Sequence, residues 1–247
     1  MVRRPEGSRS LFPAMPRAML TLAPVLAGAA AVTFHAMSTR STTYTHAQSL
    51  HALGLVLPPV TAARLLGMST GALVDASLPW AEVCGPSEAA RLDAALQIAR
   101  SDRARLAALQ SSLLRALARG PERVQQARAE SLHRLCVSVG CDGVRAASAL
   151  GMGERQLERR CRAMLGLTPK QMQRITRMHG LLSGALRQRR RPDVDAALGA
   201  GFYDQSHLAR EARLLTGATL GELFHEAHAD GAWWPLGTQR LLARRMD

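Results

Sequence analysis

The sequence predicts a mainly α protein: a C-terminal tandem helix-turn-helix domain joined by a linker helix, preceded by a small α+β N-terminal domain. Two observations carry that prediction. A pattern of glycine turn, short helix and closing glycine that begins at Gly151 recurs at Gly201. The β-like segments, rich in Val, Thr, Phe and Tyr, are confined to residues 1 to about 80.

The repeat is read residue by residue. Leu157, Arg159, Cys161, Gly166 and Thr168 correspond to Leu208, Arg210, Ala212, Gly217 and Thr219, each pair 51 residues apart. Ahead of the turn, Ala147 and Ala197 each lie four residues before their glycine and are 50 apart. One extra residue in the second turn accounts for the difference. A duplicated helix, turn, helix and closing glycine is the signature of paired helix-turn-helix units. Gly151 and Gly201 fall where a tight interhelix turn needs positive φ, and the small Ala147 and Ala197 let the first helix of each unit approach the second closely. Leu157 with Cys161, and Leu208 with Ala212, are spaced i, i+4 and should point inward. That leaves Arg155, Glu158, Arg159 and Arg162 outward in the first unit, and Gln205, Ser206, Ala209 and Arg210 in the second.

Between the units, Pro169 to about Leu186 reads as one helix with Met172, Ile175, Met178, Leu182 and Leu186 inward. About 17 residues at ~1.5 Å each span roughly 25 Å, enough to hold two recognition helices in major grooves about 34 Å apart.

Charge falls where a nucleic-acid interface wants it. The 247-residue chain has a net charge of +13, and Lys170 is its single lysine. Residues 143–191 hold twelve basic side chains against Glu154 and Glu158, a net +10. Arginine's planar fork suits phosphates and guanine edges, although arginine in place of lysine also follows genome base composition. Arg162, Lys170, Arg187, Arg189 and Arg190 are the expected phosphate contacts, which add affinity without base specificity.

These residues carry a family resemblance. Gly201-Phe-Tyr-Asp-Gln-Ser-His-Leu-Ala-Arg210, with Gly217 beyond it, is similar to the signature of the AraC/XylS transcription regulators, and Arg177 falls where that family places an arginine in its linker helix. The match covers about residues 136 to 224. The resemblance implies a sequence-specific double-stranded DNA partner, with base-contacting positions at Arg155, Glu158 and Arg159 in the first unit and Gln205, Ser206 and Arg210 in the second. The chain departs from the pattern at Gly153 (usually a capping serine), at Cys161 and Ala212 (usually phenylalanine) and at Leu220 (usually a second proline). More loosely, Leu53 to Pro59, Ala63 to Gly67 and Leu78 to Trp80 resemble the end of a sensor domain, here shortened, which admits a small-molecule effector as a further partner.

The remaining segments set boundaries. Residues 1–84 form the small β-containing, sensor-like region, with strands expected at Arg17–Leu22, Val32–Met37, Thr42–His46 and His51–Leu57. Residues 85–137 read as a helical linker, residues 138–226 as the DNA-binding domain and residues 227–247 as a tail. In the linker, Pro86 and Ser87 open one helix. A stripe of Leu106, Leu109, Leu113 and Leu117 closes at Gly120, and Pro121 opens another helix. Such a stripe packs a core or pairs with a second copy of the chain, which makes a homodimer the alternative reading.

Other functions fit less well. The four cysteines, Cys84, Cys136, Cys141 and Cys161, lack the spacing of a disulfide framework and point to reduced thiols in the cytoplasm. His133, Cys136 and Cys141 lack a fourth ligand at zinc spacing, and His225 and His228 lie three apart where a zincin helix needs four, so neither metal nor other cofactor is expected. A DNA alkyl-transfer repair enzyme, which shares this kind of DNA-binding module, needs a reactive cysteine beside a proline and a paired histidine, so no enzymatic activity is expected. The apolar run Ala18 to Phe34 resembles an export signal or short span, but Glu6 precedes it and Pro24 interrupts it. The expectation is no membrane partner, with a tethered or exported protein as the alternative.

Overall fold

The computed structural model describes residues 2–4, 9–24, 30–45, 50–66, 70–119, 135, 147–188 and 190–227. Its strands are β1 (Val2–Arg4), β2 (Arg9–Phe12), β3 (Ala18–Pro24), β4 (Ala30–His35), β5 (Thr42–Thr45), β6 (Leu50–Leu57) and β7 (Ser77–Pro79). Its helices are α1 (Pro59–Leu66), α2 (Trp80–Cys84), α3 (Pro86–Ile98), α4 (Asp102–Leu117), α5 (Glu154–Leu165), α6 (Pro169–Gln188), α7 (Val194–Gly199), α8 (Gln205–Thr216) and α9 (Leu220–Ala227). Contacts group the described residues into two compact units, one from 17–37 and 52–170, the other from 1–16, 38–51 and 171–247.

The first unit is built on an antiparallel sheet in the order β6-β3-β4-β7. Leu20 of β3 faces Phe34 on one side and Leu55 on the other. Alternation along β3 sends Ala18, Leu20 and Leu22 into a core shared with Phe34, Leu53 and Leu57. Helices α1 to α4 supply Ala62, Trp80, Cys84, Leu92 and Leu109 to the same cluster. The run Ala18 to Phe34 thus lies largely in two paired strands, and no described helix is long and apolar enough to cross a membrane. All four expected strands are present, with no end shifted by more than two residues, and β1, β2 and β7 are added to them.

The leucine stripe belongs to this core. Leu109 has no solvent exposure, and Leu106 and Leu113 pack against the cluster around it. Packing inside the unit thus accounts for these three leucines. The helix expected from Pro121 lies outside the described residues.

Polar groups inside the unit are paired, as burial demands. Trp80 Nε1 donates to Ser112 Oγ at 3.0 Å. The buried Glu88 receives Arg115 Nε at 3.0 and 3.1 Å, Arg115 Nη2 at 2.7 Å and Arg119 Nη2 at 3.1 Å, which ties α3 to the end of α4. The Arg115 hydrogen bonds hold its carboxyl below the ordinary glutamate range. In the sheet, His35 joins Thr21 Oγ1 (2.9 Å) to Ser77 Oγ (2.8 Å), and burial lowers its pKa to about 4, so the ring is neutral at pH 7.

In the second unit β2 and β5 form an antiparallel ribbon in which Phe12 faces Thr42, and the Phe12 ring meets Tyr44 edge-on at 5.2 Å. Helices α6 to α9 make up the rest. The inward face of α6 is the expected one: Met172, Ile175, Met178 and Leu182 are buried, and Leu186 is half-buried.

Candidate nucleic-acid interface

Both repeats fold as helix, turn, helix. In the first, Ala147–Ala149 is helical and residues 136–146 lie outside the described chain. Gly151 turns the chain at φ +62° and α5 follows. In the second, α7 leads to Gly201 at φ +82° and then α8. The turns share a hydrogen-bond pattern: Gly151 N–H donates to Ser148 O and Met152 N–H to Ala147 O, as Gly201 N–H donates to Leu198 O and Phe202 N–H to Ala197 O. Ala147 and Ala197 are buried, as are Leu157, Cys161, Leu208 and Ala212. Each second helix has 12 residues and ends on a glycine in the left-handed region, Gly166 at φ +70° and Gly217 at φ +76°. Those glycines donate to Arg162 O and Arg213 O, closing carbonyls that the helix ends leave open.

The starts of the two helices differ. Asp204 caps α8, accepting His207 N–H at 2.6 Å, a bond that contributes about 1 kcal/mol. Gly153 caps α5 with no side-chain bond. This is the departure from the usual serine seen in the sequence, and it leaves α5 the weaker start.

The linker helix α6 grips the second helix-turn-helix unit through two arginines. Arg174 makes a two-pronged pair with Glu211 of α8 at 2.7 and 2.8 Å, and those hydrogen bonds lower the Glu211 pKa. Arg177 Nη1 donates to Gly201 O at 2.8 Å, and its guanidinium carbon lies 4.7 Å from the centre of the buried Phe202 ring. The arginine singled out in the linker thus grips the turn of the second unit.

Residues from the N-terminal half reach the closing glycines. In the first unit of contacts, a 3-10 turn at Thr70–Leu73 meets the end of α5. A Cβ on Gly71 would come within 2.9 Å of Arg162 O and Gly166 N, so only glycine fits this approach. In the other unit, Ala14 N–H donates to Leu215 O at 2.7 Å, and Ser41 Oγ lies against Gly217. Neither contact has a signal in local sequence, because each pairs residues far apart in the chain.

The expected contact residues are distributed as follows. Arg155 and Arg159, four apart on one face of α5, are exposed. Glu158 pairs with Arg162 at 2.8 Å, so part of each charge is already engaged along the helix. Gln205, Ser206 and Arg210 are exposed on α8. Lys170 is exposed in the first turn of α6, and Arg190 pairs with Asp193. The Arg187 side chain and all of Arg189 lie outside the described residues. Cys84 and Cys161 are buried free thiols, and burial, with the nearby Glu158, raises Cys161 to about pKa 11, far from a reactive thiolate. Among the described residues no cluster of His, Cys, Asp and Glu can hold a metal ion. Cys136, Cys141, His133 and His228 lie outside them.

Comparisons with known proteins agree with this geometry. Residues 146–226 match the family model of a helix-turn-helix domain. No curated protein matches the sequence. Among solved structures, ToxT from Vibrio cholerae is similar at 10% identity, over 91% of this chain and 96% of that chain, with a TM-score of 0.51. ToxT from Vibrio cholerae O395 bound to (E)-4-(8-methylnaphthalen-1-yl)but-3-enoic acid is similar at 10% identity, over 92% and 97%, with a TM-score of 0.52. At that identity the likeness is one of fold. Residues 146–226, with their paired units and linker-helix arginine, are thus a helix-turn-helix domain, similar to that of the AraC/XylS DNA-binding transcription regulators.

Proposed function

We propose that the protein reads a specific duplex sequence by placing α5 and α8 in two successive major grooves. The observation that carries this reading is the duplication itself. Two helices of equal length, each opened by a glycine turn and closed by a left-handed glycine, present exposed polar faces with Arg159 and Arg210 at equivalent positions. Arg155, Glu158 and Arg159 of α5, and Gln205, Ser206 and Arg210 of α8, are the base readers. Arginine to guanine is the commonest such contact, and glutamine suits adenine. Arg162, Lys170, Arg187, Arg189 and Arg190 engage phosphates. Glu158 accepts from a cytosine amino group once Arg162 turns from it toward the backbone.

In this reading residues 1–84 are the sensor region, 85–137 the linker and 138–226 the reading domain, and the protein works in the cytoplasm without catalysis. That ToxT has been solved with a naphthalenyl butenoic acid supports a small organic acid as the class of effector to test here. The test is competition binding of purified full-length protein to DNA from upstream of its own coding region, at two salt concentrations. The expected result is a preference over random duplex that survives at the higher salt. Equal affinity for both would contradict the reading, because phosphate contacts alone do not discriminate sequence.

A further inference from the structure

The turn of the second unit carries one residue that the first lacks, and the hydrogen bonds identify it. Met152 N–H bonds to Ala147 O as Phe202 N–H bonds to Ala197 O, so Met152 and Phe202 are equivalent. The next residue in the first unit is the cap, Gly153, whereas the cap of the second is Asp204. The inserted residue is therefore Tyr203.

Its setting is unusual for an aromatic side chain. Tyr203 is 90% exposed, more than any other large apolar side chain among the described residues. Its backbone is nonetheless pinned on both sides. Phe202 is buried beneath Arg177, Tyr203 N–H donates to His207 Nδ1 at 3.2 Å, and Asp204 closes the first turn of α8. A ring held in water from a fixed backbone loses hydrophobic stabilisation and gains nothing within the fold. It stands two residues before Gln205 and three before Ser206, both exposed.

We propose that Tyr203 is a further DNA contact, its phenolic hydroxyl donating to a backbone phosphate at the edge of the groove that α8 enters. This rests on the reading given under the proposed function. Tyrosine is among the side chains that position proteins on phosphates. Because the phenol is uncharged, its hydrogen bond adds affinity without releasing a counterion, which separates its effect from that of an arginine. The helix that lacks this anchor is also the one without a side-chain cap, so the second unit is the better fixed of the two on DNA.

The experiment compares full-length wild type, Tyr203→Phe and Tyr203→Ala on a random-sequence duplex and on the sequence the wild type enriches from a random pool, across a salt series. The expected result is about a tenfold loss for Tyr203→Phe on both duplexes, with base preference and salt slope unchanged. Tyr203→Ala should lose at least as much, and thermal melting should stay at the wild-type value because the ring packs against nothing. Wild-type affinity in Tyr203→Phe would overturn the proposal, and so would an altered base preference, which would make the residue a base reader. A wild type that enriches no sequence would instead contradict the function proposed above, so the two failures are distinguishable.

Discussion

Replacing Phe202 by alanine should destabilise the second helix-turn-helix unit by about 3–5 kcal/mol, the cost of emptying a large aromatic site in a packed interior. Phe202 is the buried residue of the turn, and three features converge on it: the Ala197 carbonyl that receives its N–H, the Arg177 guanidinium over its ring, and the edge of His207 at 5.6 Å. Removing the ring frees Arg177 from its flat partner and loosens the approach of α7 to α8. Urea unfolding followed by circular dichroism measures the loss. Since α5 is held by other residues, contact with the first half of the DNA site should outlast contact with the second, which protection footprinting of the variant would show. Phe202→Leu, which keeps an apolar side chain there, should recover most of the stability.

The second large effect concerns binding alone. Arg159 and Arg210 are exposed, so alanine at either should leave melting within about 0.5 kcal/mol of wild type. Each should weaken binding to the preferred sequence by about 1–3 kcal/mol. They stand on separate helices without shared partners, so the double variant should lose about 2–6 kcal/mol, roughly 30-fold to 10⁴-fold. Titration of labelled duplex with the single and double variants measures this. The loss must be specific, with each single variant relaxing base preference at its own positions. Equal losses on every sequence would assign the two arginines to phosphates.

The legible parts of this fold are those whose causes are local. Gly151 and Gly201 were readable as turns because positive φ favours glycine, and the spacing of Leu157 with Cys161 and of Leu208 with Ala212 marked the inward faces without any tertiary information. The four strands announced themselves by β-branched and aromatic content. The leucine stripe of α4 shows where such reasoning stops: periodicity reveals that a face is apolar but not what packs on it, and here α4 packs against helices α1 to α3. The Gly71 approach to Gly166, the contact of Ser41 with Gly217 and the Arg174–Glu211 pair join residues whose separation in sequence hides them. At the interface, the offsets showed that one residue had been added to the second turn, but only the backbone hydrogen bonds identify it as Tyr203. The exposed faces were correctly assigned, whereas the pairing of Glu158 with Arg162, and of Arg190 with Asp193, depends on rotamers that composition does not encode.

The most direct test of the two-groove account is selection of bound duplexes from a fully random pool by the purified full-length protein, followed by sequencing. Two short blocks of base preference, with centres about 10 base pairs apart so that both face the same side of the helix, are the expected outcome. A single block, or enrichment without any base preference, would contradict it.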